Sequence, residues 1–192
     1  MQRYVALLSG LPAGTERVAD DQLASLFRNL GFLDVRTLEA SGTVAFDTRP
    51  VGNIGPLEAQ ISRHLTRSLK HKVRTFIRTS EEIATLVDRS PFASEDGSVY
   101  VVFLDEKIEE DVDRRLRARR SGADSFRPAG REIYWLRRKT EDNEPPPPLA
   151  ELLNAPATVR SIQSLRHVAE ESVSSDKRNR DGDATESERS RQ

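Results

Sequence analysis

Arginine is the residue type here with the most chemical potential, and it is concentrated. Arg114, Arg115, Arg117, Arg119, Arg120, Arg127, Arg131, Arg137, Arg138 and Lys139 crowd one stretch, in which Asp124 and Glu132 are the only acids. Forked guanidinium groups at that density suit a surface that contacts phosphate. A solvated helix is the better account of the stretch. Glu109, Glu110, Asp111 and Asp113 precede the arginines, giving Glu110–Arg114 and Asp113–Arg117 pairs four residues apart. Acid at the start and base at the end also complement the helix dipole. Anion or partner binding is the remaining reading, with Arg117, Arg120, Arg131 and Arg137 as its candidate contacts.

A second candidate is the loop Ser9-Gly10-Leu11-Pro12-Ala13-Gly14, which leaves an apolar run and precedes an amphipathic one. Backbone N–H groups between a strand and a helix can hold an anion, which makes Ser9, Gly10 and Gly14 candidates. The loop lacks the Gly-Lys-Ser/Thr ending of a phosphate loop and the spacing of a dinucleotide fingerprint, so a plain connection fits it better. His64, His71 and His167 are scattered and fall at no metal-ligand spacing, and the chain has no Cys. No metal or cofactor is expected, and no catalytic residue is assigned, because no Ser or carboxylate sits in a nucleophilic or acid–base pattern. In a strand, Tyr134 and Trp135 face opposite sides, so one packs and the other is free to meet a partner.

These residues need a scaffold, and composition bounds it. At 192 residues, 32% charged and formally −1, the chain is long enough for one domain or two small ones and has no global basic excess. The absence of cysteine fits a reducing compartment. No secretory leader is read at Gln2-Arg3, and the longest apolar stretch, Val99–Leu104, is far short of the ~20 residues a membrane helix needs. A cytoplasmic location with no membrane contact is the expectation.

Order of elements is the clearest structural signal. The apolar run Tyr4–Leu8 leads to an amphipathic helix, Asp20–Leu30, with Leu23, Leu26, Phe27 and Leu30 on one stripe and Gly31 as its stop. Asp20 or Asp21 is placed to cap it. Val35–Glu39 and Thr43–Phe46 form a hairpin about Ser41-Gly42. A second helix opens at Pro56 with the stripe Leu57, Ile61, Leu65, and Val73–Arg78 alternates as a strand. The first half therefore predicts β-α-β-β-α-β, the ferredoxin-like unit.

After Arg78, Thr79 and Glu82 form a capping-box pattern that opens a helix bearing Ile83, Leu86 and Val87. Val99–Leu104 reads as a central strand, Glu106–Arg120 as a helix on Ile108, Val112 and Leu116, and Ser125–Arg127 with Arg131–Arg137 as a hairpin about Pro128-Ala129-Gly130. The second half runs α-β-α-β-β-α, a circularly shifted copy of the first by element order, with no repeat visible residue by residue. The expected architecture is α+β, divided into a ferredoxin-like half (1–78), a second α+β half packed on it (79–139), an acidic and proline-rich spacer (140–148) and a C-terminal helical segment (149–172). Within that segment a helix is predicted across Val159–Glu171. A polar tail (173–192) is expected to be disordered, because it has too little apolar surface to offset its ordering entropy.

Several short strings, in order, resemble a bacterial family of uncharacterised proteins, domain of unknown function 1697. They are Tyr4-Val5-Ala6-Leu7-Leu8-Ser9-Gly10, Leu30-Gly31-Phe32, Ser41-Gly42-Thr43-Val44 and Ser90-Pro91-Phe92. Val102-Phe103-Leu104, Gly130-Arg131-Glu132-Ile133-Tyr134 and Thr158-Val159-Arg160-Ser161 complete the set. The resemblance spans Met1 to Glu170 and implies the fold while leaving the chemistry open. The family's loop Arg and Asn are replaced around Ser9 and Pro12, its hairpin Asn by Thr43, and its Asn-Trp pair by Ser161-Ile162. A divergent member is implied, one that has lost polar positions.

An RNA-recognition module is the other fold-level suggestion, and the residues argue against it. Bases would stack on rings at the sheet positions held here by Leu7, Thr43 and Ala45, none of them aromatic. The expected function is a non-catalytic binding or interaction protein for an anionic ligand or protein partner. The alternatives are an enzyme acting on a phosphorylated or anionic small molecule and a weak nucleic-acid binder.

Overall fold

The computed structural model describes residues 1–12, 14–38, 42–118, 123–139 and 149–172. The spacer 140–148, the tail 173–192 and Arg120 lie outside them. Alternation of apolar residues produces β1 (Gln2–Ser9), β2 (Leu33–Leu38), β3 (Thr43–Thr48) and β4 (Arg74–Thr79), which form one antiparallel sheet in the order β2-β3-β1-β4. With α1 (Asp20–Arg28) and α2 (Gly55–Leu69) between the strands, the element order is β-α-β-β-α-β. That order agrees with the ferredoxin-like pattern.

The second half repeats it. After α3 (Ser80–Asp88) come β5 (Ser98–Leu104), α4 (Glu110–Ala118), β6 (Asp124–Ala129), β7 (Glu132–Arg137), α5 (Leu149–Leu153) and β8 (Ala157–Ser161). A further helix, α6, covers 162–172. The second sheet is ordered β6-β7-β5-β8, the same arrangement as the first. The helix predicted across Val159–Glu171 thus begins later, at 162, and the residues before it are a strand. Their pairing with β5 wins over helix propensity because it completes the sheet. Thr158 and Val159, both β-branched, were the available signal.

Once β8 is in place, a residue-level repeat appears. Tyr4 pairs with Thr79 in one sheet and Tyr100 with Ser161 in the other, so Tyr4-Val5-Ala6-Leu7-Leu8 stands where Tyr100-Val101-Val102-Phe103-Leu104 stands. By the same register Leu7 faces Thr43 and Phe103 faces Glu132, and Arg78 corresponds to Arg160.

Strand alternation divides the core in three. Tyr4, Ala6, Leu8, Val44 and Phe46 pack under α1 and α2 with Leu23, Phe27, Ile61 and Leu65. Val102, Leu104, Ile133 and Trp135 pack with Val112 and Leu116 of α4 and Leu153 of α5. The opposite faces of both sheets share the third cluster, in which Val5, Leu7, Ala45 and Phe76 meet Val101, Phe103, Tyr134 and Leu136, joined by Ile83 of α3 and Leu165 and Val168 of α6.

Local details follow the expected chemistry in most places. Thr79 and Glu82 form the capping box, each side chain bonding the other's backbone N–H. Pro56 occupies the first turn of α2. The N-cap of α1 is Ala19, which makes no side-chain bond, whereas Asp20 and Asp21 fall in the first turn and act on the dipole instead. Pro128 and Ala129 belong to β6, an edge strand where a missing N–H is tolerated, and the turn is Gly130-Arg131. Neither Tyr134 nor Trp135 is free. Tyr134 donates to the carbonyl of Leu86 (2.9 Å), and burial pushes its pKa up to about 12. Trp135 Nε1 donates to Asp124 Oδ1 (2.6 Å), and the ring lies against Phe126 and Tyr100.

Candidate functional site

β4 is an edge strand, so its outward N–H groups need acceptors. A polar stripe on α2 supplies them. Glu58 Oε1 accepts from Ile77 N (2.7 Å), Ser62 Oγ from Thr75 N (3.0 Å) and Thr66 Oγ1 from Val73 N (3.0 Å). These residues recur every four positions, one per helical turn, which matches one per two residues along the strand.

The groove where α2 meets this edge is a cleft of about 620 Å³. Its walls carry Arg63 and Arg67 from α2 and Lys72 and Arg74 from the entry to β4, and Glu58 and Asp105 line it as well. Asp105 comes from the second half, on the loop leaving β5, and its Oδ2 lies 3.4 Å from Arg74 Nη1. The cleft is thus built by both halves. Burial, the largest effect on each, raises the pKa of Glu58 and Asp105 above ordinary carboxylate values. The Ile77 N–H and then Arg131 and Arg78 oppose the rise at Glu58; Arg74 and Arg131 oppose it at Asp105.

Behind the cleft, Arg78 joins the halves. It is 2% exposed, and its Nε donates to Glu132 Oε1 (2.5 Å) while Nη2 donates to the carbonyl of Leu104 (3.2 Å). Nη1 bonds the carbonyl of Ile77 (2.7 Å) and lies 3.7 Å from Glu58 Oε1. Its counterpart Arg160 donates from Nη2 to the carbonyl of Leu8 (2.8 Å) and from Nη1 to that of Val159 (2.9 Å).

Two of the residues singled out in the sequence flank the cleft without lining it. Arg131 donates to the carbonyl of Asp105 (3.2 Å) and lies 3.7 Å from Glu58. Gly10, at φ +79°, packs so tightly that a Cβ would stand 2.3 Å from the Lys72 carbonyl oxygen. Ser9 ends β1 in register with Arg74. Gly14 opens a short 3-10 turn over Gly14–Glu16 with free space around it.

Arg137 ends β7, about 17 Å along the strand from Glu132 at its start, next to Arg131. There it lies 3.6 Å from Asp124 and over the Trp135 ring. Arg117 lies on α4, which carries an ion pair four residues apart between Asp111 and Arg115 (2.9 Å). Among the described residues Arg131 and Arg137 therefore stand apart, while Arg63, Arg67, Lys72 and Arg74 gather at the cleft. From Arg63 through Arg74 the chain has Arg63, Arg67, Lys70, Lys72 and Arg74 and no acid, the signal that could have located the cleft.

The sheet face that would carry bases in an RNA-recognition module is covered. Leu7, Thr43 and Ala45 are each 0% exposed. Among the described residues no cluster of His, Asp and Glu could hold a metal ion, and no helix is long and apolar enough to cross a membrane.

Fold and site together define an α+β protein of two similarly ordered antiparallel sheets with a cation-walled cleft at their junction. Over residues 1–134 the chain matches the protein family of unknown function DUF1697, and it belongs to that family. A solved structure with a similar fold is the conserved bacterial protein SP0830 from Streptococcus pneumoniae, at 18% identity and a TM-score of 0.69, covering 88% of this chain and 97% of that one. A search of curated proteins gives no match. Several strings that carry the family resemblance make the contacts between the halves. Leu104 and Glu132 receive Arg78, and Arg160 reaches Leu8.

Proposed function

We propose that the protein is a non-catalytic binding protein for a small anionic ligand, held in the cleft between α2 and β4. The carrying observation is the convergence of Arg63, Arg67, Lys72 and Arg74 on one concave site large enough for a metabolite. Guanidinium groups favour planar, bidentate recognition of phosphate or carboxylate. Arg131 and the Ser9–Gly10 turn support the site from either side. The groups that catalysis would recruit have structural work: Glu58 holds the Ile77 N–H and faces Arg78 and Arg131.

Thermal denaturation against a panel of anions (phosphate, sulfate, sugar phosphates, nucleotides) tests this reading. A true ligand raises the Tm of the wild type, by mass action, and leaves that of an Arg63→Glu/Arg67→Glu variant unchanged. A panel that moves the wild-type Tm nowhere overturns the proposal. An enzyme acting on an anionic small molecule is the second reading, favoured by one observation, the raised pKa of Glu58 beside the cleft. Turnover of a bound ligand that is lost in Glu58→Gln while binding persists would replace the first reading with this one.

A further inference from the structure

The cleft already contains an anionic group. The Asp105 carboxylate lies 3.4 Å from Arg74, and the two side chains are 39% and 44% exposed, so the pair is open to a competitor from solvent. Among the described residues, Arg63, Arg67 and Lys72 have no carboxylate within ion-pair distance. Arg63 and Arg67 stand one turn apart on α2, with Cβ atoms about 6 Å from each other. Lys72 and Arg74 are two residues apart at the entry to β4, about 7 Å in an extended chain. Each wall thus presents two cations, and together they carry more positive charge than Asp105 and one tetrahedral anion would balance, which suits the two phosphoryl groups of a diphosphate.

The sealed edge also selects the class of ligand. An extended peptide would dock on β4 by pairing with its N–H groups, but those of Val73, Thr75 and Ile77 already donate to α2. A small molecule needs no such pairing.

Resting on the anion-binding reading above, we infer that the cleft takes a diphosphate-bearing small molecule, and that Asp105 is the anion this ligand displaces from Arg74. A monoanion that replaces the Asp105 carboxylate leaves the charge at Arg74 as it was. A diphosphate brings further negative charge to Arg63, Arg67 and Lys72. Protonation has the same effect as displacement. Burial raises the pKa of Asp105; Arg74, Arg131 and Arg78 oppose the rise, while Glu106 adds to it and Glu58 faces it from α2. As pH falls, Asp105 therefore gives up its charge sooner than an ordinary aspartate and leaves Arg74 available.

Calorimetric titration of the full chain with inorganic pyrophosphate, phosphate and sulfate tests the inference, using the wild type, Asp105→Asn, Asp105→Ala and Arg67→Glu. Pyrophosphate should bind about tenfold or more tighter than phosphate or sulfate, the worth of one further charge-assisted bond. Both Asp105 variants should tighten pyrophosphate binding by about two- to fivefold, the worth of an exposed ion pair removed as competitor. Arg67→Glu should abolish it. Equal affinities for pyrophosphate and phosphate would overturn the diphosphate assignment. Unchanged or weaker binding by both Asp105 variants, with binding still lost in Arg67→Glu, would overturn the role of Asp105 and leave the anion site standing. Absence of binding by every probe to wild type and variants alike would overturn the site itself.

Discussion

Arg78 and Arg160 occupy equivalent places in the two halves, and each reaches across to a backbone carbonyl on the first strand of the other half. Arg78 ends on the Leu104 carbonyl and on carboxylates, with Glu132 bonded and Glu58 nearby. Arg160 ends on the Leu8 carbonyl and on the neutral Thr158 hydroxyl (2.9 Å), and Thr43 stands where the other half has Glu132. Backbone carbonyls are available in any copy of the fold, so both cross-links keep them. Carboxylates depend on particular side chains, and Glu132 and Glu58 stand on the side that borders the cleft. One topological joint thus serves twice, and the copy that borders the cleft is charged at both ends.

The comparison can be broken most forcefully at Arg78. Replacing it with Met leaves Glu132 and Glu58 without their buried cation and should cost about 3–5 kcal/mol of stability, measured by urea denaturation. A loss equal to that of Arg160→Met would mean the carboxylates add nothing. Glu132→Thr converts the first joint to the form of the second and should cost about 1–3 kcal/mol, because Arg78 loses a charged acceptor but keeps its carbonyls. Arg160→Met removes bonds to the Leu8 and Val159 carbonyls and should cost about 1–2 kcal/mol, measured in the same way.

Glu58→Gln has the smallest expected effect and the most particular signature. With its pKa raised in the folded chain, Glu58 binds its proton more tightly folded than unfolded. Folding stability should therefore fall as pH rises from the ordinary carboxylate value through the raised one. The amide keeps an acceptor for Ile77 N–H but has no proton to lose, so the variant's pH profile should be flatter across that window. A profile identical to the wild type would show that Glu58 titrates normally.

Much of this fold was readable beforehand because its signals are local. The capping box at Thr79 and Glu82, the α2 stripe and the apolar run Tyr4–Leu8 all depend on neighbours within a few residues. β8 was missed because five residues carry little period of their own, and their state is set by pairing with β5. The correspondence between the two sheets was hidden for the same reason, since the matching of Tyr4 to Tyr100 needs the register that β8 completes. The cleft was harder still. Sequence density pointed to Arg114–Lys139, whereas the cations that converge are carried by α2 and β4, and Asp105 meets them only because the halves dock. Arg131 is among the residues singled out in the sequence, but its place behind the wall depends on contacts with Asp105 and Glu58 that no spacing rule predicts.

The shared apolar cluster has a consequence for how the chain is made. Val5, Leu7, Ala45 and Phe76 belong to the first half, but the residues that cover them extend to Leu165, Val168 and Ala169. A nascent chain that has completed β4 therefore presents an apolar sheet face to solvent or to a chaperone until residues as late as Ala169 have been added. We expect a fragment ending after Asp88 to bind a hydrophobic dye and to self-associate, and the chain through Ser172 to do neither.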